Sequence, residues 1–321
     1  MKKLLIMVIV LAQFHTGWSQ IDSCRQLAFW NVENFFDTWH DTLKEDMAFT
    51  PMGDNHWTTK RYEDKRNKIY KVLAAMQWPS VVGLAEVEND WVLRDLCLGT
   101  PMRKMKYGFV HYESPDRRGV DCALLYRKDH FRIINSQPIC VSDSSADFLT
   151  RDILLVHGIL QRSNVEDTCY IFVNHWPSKL GGSNSDYHRM RIAKKLLSLI
   201  DSILKDHPNS FVLAMGDFNS SPEEEAIRSG LEFHGKASNG TGLYNLMHTL
   251  SRDEGSYKYS GQWSYIDQMM ANRELPVEVF RPEWLLIDDS KYLGQKPYRT
   301  YVQTQYIGGY SDHLPIIVTI P

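Results

Sequence analysis

Paired cysteines, internal repetition, a strong charge of one sign and a membrane-length apolar run are all missing from this sequence. Its 36 lysines and arginines face 39 aspartates and glutamates over 321 residues, a formal charge of −3. That balance argues against tight binding of bulk duplex nucleic acid, but not against phosphodiester hydrolysis in a locally basic cleft. The five cysteines, at 24, 97, 122, 140 and 169, are odd in number and form no CxxC pair. They give neither a zinc signature nor a disulfide framework, and Cys122 and Cys169, set in apolar runs, read as core thiols. No low-complexity tract and no fixed-period repeat marks a solenoid or a disordered tail. No stretch rich in Gly, Ser or Pro divides the chain. The apolar run over residues 4–12 is too short to span a bilayer.

What is present suits a globular protein with a sizeable core: 43% of residues are hydrophobic and 12% aromatic. The first residues read as a targeting segment, with Lys2 and Lys3 before the apolar run and small residues at Gly17 and Ser19. Cleavage after Ser19 leaves residues 20–321 as a single domain of charge −5 (−3 minus the 2 lysines). The expected product is an exported monomer, periplasmic or extracellular, without a stable protein partner. Ile21-Asp22-Ser23 before Cys24 is a poor lipobox, which ranks soluble export above lipid anchoring.

Apolar periodicity predicts strands at 27–36, 81–86, 107–112, 120–127, 131–134, 152–160, 169–176, 211–215, 264–270 and 314–320. Near-helical spacing predicts helices over 59–78 and 187–206, and a polar loop region covers about 234–260. Many strands with a few long helices interspersed imply two packed sheets with helices outside, an α/β sandwich. The stretch Gly216-Asp217-Phe218-Asn219 follows one buried strand. Gly216 suits a sharp turn, and Asp217 and Asn219, two apart, would project on one side of an extended segment. Ser221, Pro222 and Glu224 resemble the N-cap, first turn and capping box of a further helix that Gly230 would stop. An Asx-turn in which these side chains only bond nearby backbone is the alternative.

Polar side chains recur where apolar strands end: Asn31 and Glu33, Glu86, His175, Asp217 and Asn219, Asp267, then Asp312 and His313. Any one could be ordinary, but so many near apolar cores are costly without partners. The blocks Phe29-Trp30-Asn31-Val32-Glu33-Asn34, Leu84-Ala85-Glu86, Val173-Asn174-His175-Trp176-Pro177-Ser178, Gly216-Asp217-Phe218-Asn219, Ser264-Tyr265-Ile266-Asp267 and Tyr310-Ser311-Asp312-His313-Leu314-Pro315 resemble the endonuclease/exonuclease/phosphatase superfamily. They occur in that family's order across nearly the whole chain after the leader. Pancreatic-type deoxyribonucleases, abasic-site endonucleases, neutral sphingomyelinases and inositol polyphosphate 5-phosphatases belong to this group.

The resemblance implies a four-layer αββα sandwich of two mainly antiparallel sheets and Mg²⁺-dependent phosphoester hydrolysis, with Mn²⁺ as an alternative cation. It implies metal-side roles for Asn31, Glu33, Glu86 and Asp312; the family often has Asp where Glu33 stands. It places His313 on the scissile phosphate with Asp267 orienting it, and Asp217 with Asn219 on the attacking water. His175 matches a histidine position of the deoxyribonuclease-like and sphingomyelinase-like members. Ser178 falls where a small polar residue touches phosphate. Arg151 is a candidate phosphate clamp or a rim charge, and Asp121 a candidate to orient His175 or a solvated strand end. Hard oxygen donors suit Mg²⁺, and an Asp–His pair fixes the imidazole tautomer.

Dinuclear metallophosphoesterases need an early Asp-x-His and a later Gly-Asn-His-Asp/Glu, neither of which occurs. A binding module that has lost catalysis fits poorly with intact blocks. The expected substrate is nucleic acid, with lipid, inositol and sugar phosphates as alternatives. Trp39, Trp57, Trp91, Trp176 and Trp263 could stack bases, touch lipid or fill the core.

Overall fold

The computed structural model describes residues 24–143, 148–163, 165–233, 242–251 and 254–321. The leader segment 1–19 and part of the 234–260 loop lie outside the described residues.

Twelve strands form two six-stranded sheets. They are β1 (Arg25–Phe35), β2 (Val81–Val87), β3 (Tyr107–His111), β4 (Asp121–Arg127), β5 (Phe131–Ile139), β6 (Ile153–Arg162), β7 (Val165–His175), β8 (Phe211–Asp217), β9 (Tyr244–Asn245), β10 (Asp267–Ala271), β11 (Val277–Val279) and β12 (Ile316–Ile320). The first sheet runs β11-β12-β1-β2-β4-β3 and the second β5-β6-β7-β8-β10-β9. Each is antiparallel except for one central parallel pair, β1 with β2 and β7 with β8. Helices α1 (Thr59–Ala75), α2 (Asp90–Gly99), α3 (Gly182–Asp206) and the single turn α4 (Glu225–Arg228) join them, with three two-stranded ribbons and short 3-10 turns besides among the described residues.

Three apolar layers separate four structural layers. Successive residues of β1 show why: Leu27 and Phe29 point into the cluster between the sheets, with Val81, Leu124, Val173, Met215 and Ile316. Ala28 and Trp30 point the other way, to Ile69, Leu73, Val92 and Leu96 of α1 and α2. Alternation with period two thus feeds two cores from one strand. Phe172, Ala214 and Phe218 pack on the far face of the second sheet against Ile192, Leu196 and Ile200 of α3. This is the expected αββα sandwich. The sheets meet closely at Gly83, where a Cβ would stand 2.8 Å from Met215 Sδ and 3.2 Å from Phe29 and Val173.

Local differences have physical causes. Helix α2 was not among the expected elements, although Asn89 caps it through Trp91 N–H (2.9 Å) and Val92 N–H (3.1 Å). Its apolar spacing, Val92, Leu93, Leu96 and Cys97, is compressed into ten residues, too short for a confident period. The helix expected after Ser221 shrinks to α4: Glu224 reaches back to Ser221 N–H (3.3 Å), half a capping box, but helical residues begin only at Glu225. Helix α3 begins at Gly182 rather than at residue 187. Gly216 lies inside β8 and not at a turn. Its glycine is required because a Cβ would sit 2.3 Å from the Asn174 carbonyl oxygen on β7.

All five cysteines are free thiols, with Cys97, Cys122 and Cys169 buried and Cys24 and Cys140 exposed. Trp57 and Trp176 belong to the cores, whereas Trp39 and Trp91 stand at the surface. Among the described residues, no helix is long and apolar enough to cross a membrane.

Candidate active site

Because each central strand pair is parallel, the carboxyl ends of β1 and β2 open at one edge, as do those of β7 and β8. In the second sheet His175, Asp217 and Asp267 fall in one row: His175 pairs with Asp217 across β7–β8, and Asp217 with Asp267 across β8–β10. In the first sheet the pairing register shifts between Asn31 and Phe35 on β1 and between Ala85 and Val87 on β2. Such irregularities re-aim side chains. Glu33 (φ 54°), Asn34 (φ 56°), Glu86 (φ 63°) and Asn219 (φ 47°) all occupy the left-handed region, which non-glycine residues rarely adopt. Strained backbone therefore gathers where the polar side chains gather.

The two sheets are joined across this edge by His313, which precedes β12. Its Nδ1 lies 2.8 Å from Asp267 Oδ2, and its Nε2 lies 3.9 Å from Asp217 Oδ2 and 3.8 Å from Asp312 Oδ1. Ser256 Oγ donates to the same Asp267 oxygen (2.6 Å), and Ser311 Oγ braces His313 N–H (3.0 Å). Tyr257 packs over the imidazole with ring centroids 4.7 Å apart. Asp217 Oδ2 accepts from Asn31 Nδ2 (3.1 Å) and lies 3.8 Å from His175 Nε2. Asp217 Oδ1 accepts the Asn219 N–H (2.9 Å), so the Asx-turn forms as well, and Asn219 Nδ2 donates to the Trp176 carbonyl (3.0 Å). Ligand-capable atoms of Asp217, Asp267 and His313 all lie within 4.8 Å of one another.

Glu86 closes the first-sheet side. Its Oε2 accepts from Asn34 N–H (2.9 Å), while Oε1 lies 3.5 Å from Arg118 and 3.9 Å from His175 Nε2. Asp312 is paired to Arg299 (2.9 Å). Glu33 is held differently: its oxygens accept from the backbone of Thr300 (2.6 Å) and Tyr301 (3.3 Å). The Asn31 oxygen likewise accepts Glu33 N–H (3.0 Å).

The histidines titrate in opposite directions. Burial alone would discharge His313, but Asp267, through charge and hydrogen bond, with Asp312 and Asp217, holds its pKa well above the ordinary imidazole value. For His175 burial and the nearby Arg151 and Arg118 act together and hold it well below, neutral. Burial pushes Asp217 up to about 7 against the pull of His313, with Asp267 adding to the rise. Burial also disfavours the Glu86 carboxylate, yet Arg118, His313 and Arg151 keep it below its ordinary value. Groups with pKa values driven apart in one buried cluster are the raw material of acid–base chemistry.

Three candidates stand apart from the cluster. Arg151 is no rim charge: it is buried, paired to Asp116 (3.0 Å) and bonded to the Trp176 carbonyl (2.9 Å), which braces the loop after β7. Asp121 does not orient His175, whose Nδ1 has no hydrogen-bond partner among the described residues. Instead it faces His111, with Nε2 3.5 Å from Oδ2, because β3 and β4 are antiparallel neighbours. Ser178 is exposed at the start of the short turn Lys179–Gly181. Arg118, Arg299 and the buried Lys65, bonded to Thr300 Oγ1 (2.6 Å) and the Tyr310 carbonyl (2.6 Å), escaped the sequence reading. They sit between motifs and acquire acidic neighbours only through tertiary contact.

A family profile described as "Endonuclease/Exonuclease/phosphatase family" matches residues 26–321. The chain belongs to that family. No curated protein matches it. Its fold is similar to that of a humanized zebrafish TDP2 carrying 14 mutations, with 17% identity, a TM-score of 0.55 and coverage of 92% of this chain and 98% of the other. It is also similar to the human Nocturnin catalytic domain with bound sulfate (18% identity, TM-score 0.57, 92% and 94% covered). A mannosyl-6-phosphatase from Bacteroides thetaiotaomicron is a third such structure (14% identity, TM-score 0.58, 92% and 100% covered). At these identities the likeness describes the fold of this family member.

The donor chemistry of this edge fits a hard divalent cation. Its offered atoms are carboxylate oxygens: Glu86 Oε1 stands 3.5 Å from Arg118 and Asp312 Oδ1 3.8 Å from His313 Nε2, and neither oxygen makes a hydrogen bond among the described residues. The Glu33 carboxyl is pushed up to about 7, first by burial and then by Asp312, the response of an acidic cluster lacking full charge compensation.

Proposed function

We propose that this protein is an exported, metal-dependent phosphoesterase that cleaves phosphodiester bonds of nucleic acid. The observation that carries the reading is the junction of Asp217, Asp267 and His313 beside Glu86, within a chain of this family. Glu86 and Asp312 would hold Mg²⁺, or Mn²⁺ in its place, with Glu33 and Asn31 framing them. The cation supplies charge neutralisation at phosphoryl oxygens when bound.

The chain's own groups do the rest. Asp217, with a pKa near neutrality, accepts a proton from a water that Asn219 helps to place; the Asn219 amide is anchored by Nδ2, which leaves its oxygen for that water. His313, kept cationic by Asp267, donates to the phosphoryl group as negative charge builds there. Neutral His175 offers Nε2 between Glu86 and Asp217, placed to handle the leaving oxygen. Trp39 and Trp91 form an exposed edge-to-face pair, centroids 5.1 Å apart, on the segments following β1 and β2, and supply a stacking surface for a base. A sugar, inositol or lipid phosphate would use the same core with other loops.

Nicking of supercoiled plasmid by the protein from Gln20 onward, with Mg²⁺, Mn²⁺ or EDTA, tests this. Metal-dependent nicking that falls about 10²–10⁴-fold in Asp217→Asn is expected. Absence of nicking together with hydrolysis of a sugar or lipid phosphate would reject the nuclease assignment. Full activity in the variant would reject the role of Asp217.

A further inference from the structure

A second cluster of ligand-capable atoms lies one strand away from Glu86, where Asp121 pairs with Val87 at the start of β4. We propose that His111, Glu113 and Asp121 form a separate metal site for a zinc-class divalent cation. Their imidazole nitrogen and carboxylate oxygens all approach within 4.8 Å of one another.

Asp121 is only 1% exposed, and its Oδ2 makes no hydrogen bond among the described residues, facing His111 Nε2 at ion-pair distance instead. Its other oxygen accepts Ser114 N–H (3.1 Å), which fixes the carboxylate plane and leaves Oδ2 directed at His111. A buried carboxylate oxygen held from its only facing donor by more than a normal hydrogen-bond length is costly unless a third group sits between them. His111 complements it. Nδ1 lies 3.0 Å from Asp90 Oδ1, and a ring proton on that side would leave Nε2 free to take an ion. Without an ion, burial disfavours the charged imidazole, yet Asp121, Glu113 and Asp90 hold it above its ordinary pKa. A carboxylate behind the far nitrogen is the usual support of a metal-bound histidine. His111 Nε2 is itself buried and makes no hydrogen bond among the described residues.

The spacing discriminates between occupants. Nε2 and Oδ2 are 3.5 Å apart. A charge-assisted N–H···O bond would draw them to about 2.7–2.9 Å. Two ligands of a tetrahedral ion with bonds of about 2.0–2.1 Å stand about 3.4 Å apart. The mixed nitrogen and oxygen donors suit zinc better than Mg²⁺, which prefers oxygen alone. Glu113 is exposed, and so provides the entry path and the most easily displaced ligand. Asp152, whose Oδ1 is also buried and unpartnered, lines the adjoining small cavity with Asp121, Tyr112 and Cys122. The ion would pin the two ends of the loop between β3 and β4, and that loop carries Arg118 to Glu86.

Equilibrium dialysis of the purified full-length protein against Zn²⁺ counts ions, and Co²⁺ substitution reports geometry through the intense visible bands of tetrahedral cobalt. Wild type should hold one ion more than His111→Ala and show those bands. Glu113→Gln and Asp90→Asn should weaken that ion tenfold or more, while Glu86→Gln leaves its bands intact. Equal stoichiometry and equal spectra in wild type and His111→Ala would overturn the site and leave an ordinary buried His–Asp pair. Loss of the bands in Glu86→Gln but not in His111→Ala would also overturn it, since the ion would then belong to the Glu86 centre.

Discussion

Replacing Asp267 by asparagine removes one charge from the buried junction while conserving shape. In the native protein Asp267 Oδ2 accepts from His313 Nδ1 (2.8 Å) and from Ser256 Oγ (2.6 Å), so this oxygen holds the imidazole and is itself held. Charge and hydrogen bond from Asp267 are the leading influences that keep His313 protonated against burial. A hydrogen bond to a charged group contributes about 1.5–3 kcal/mol. If that stabilisation is realised as phosphoryl charge develops, its loss slows the reaction by roughly tenfold to somewhat over a hundredfold. The direction in pH follows from the same contact. Losing the carboxylate lowers the His313 pKa, so the pH above which activity falls must move downward. For folding, a raised imidazole pKa adds stability that is complete below the unfolded value and fades as pH rises through the folded one. The variant should therefore lose most against wild type at acidic and neutral pH. Initial rates on a phosphodiester substrate across pH, beside circular dichroism of both proteins, provide the assay. A folded Asp267→Asn enzyme with full rate and an unmoved basic limb would refute the assignment of His313 as the cationic group.

Two predictions concern stability. Lys65 is buried with Nζ on Thr300 Oγ1 and the Tyr310 carbonyl, and it offsets the charges of Glu33 and Asp312; Lys65→Met should cost about 3–5 kcal/mol in urea unfolding because those acids remain. A loss within error of zero would show that Glu33 is neutral in the native protein at the assay pH. Asp167 is buried enough to be penalised, yet Arg273 (2.9 Å) and Arg162 (2.6 Å) hold its pKa below the usual 3.8. A depressed carboxylate pKa adds stability above the unfolded value and loses it as pH falls through the folded one. Asp167→Asn should thus destabilise by about 1 kcal/mol at pH 7, with the gap closing below pH ~4. A gap that does not shrink as pH falls below ~4 would locate the effect in packing rather than charge.

Much of the fold follows from local pattern. Strands such as Val81–Val87 and Phe211–Asp217 are apolar runs that only a doubly covered central strand can bury, and α1 and α3 carry stripes matching their period. Helix α2 and the truncated α4 were illegible because ten and four residues are too few for a period to stand out against caps and tertiary packing. The polar strand ends were visible one by one, and their resemblance to a known family ordered them.

Sequence by itself determined which chemical groups this protein owns and that they lie at strand ends, since composition and period-two alternation are properties of the chain. Only the tertiary structure decided who meets whom. Two parallel strand pairs bring Glu86, His175 and Asp217 to one edge, and the segment before β12 crosses between sheets to set His313 against Asp267. Opposed shifts in two histidines of identical composition arise there as well, because an imidazole's charge is set by the carboxylates and guanidinium groups packed around it. Asp121 makes the same point: the sequence placed it at a strand start, and its antiparallel neighbour β3 supplied His111 as its partner.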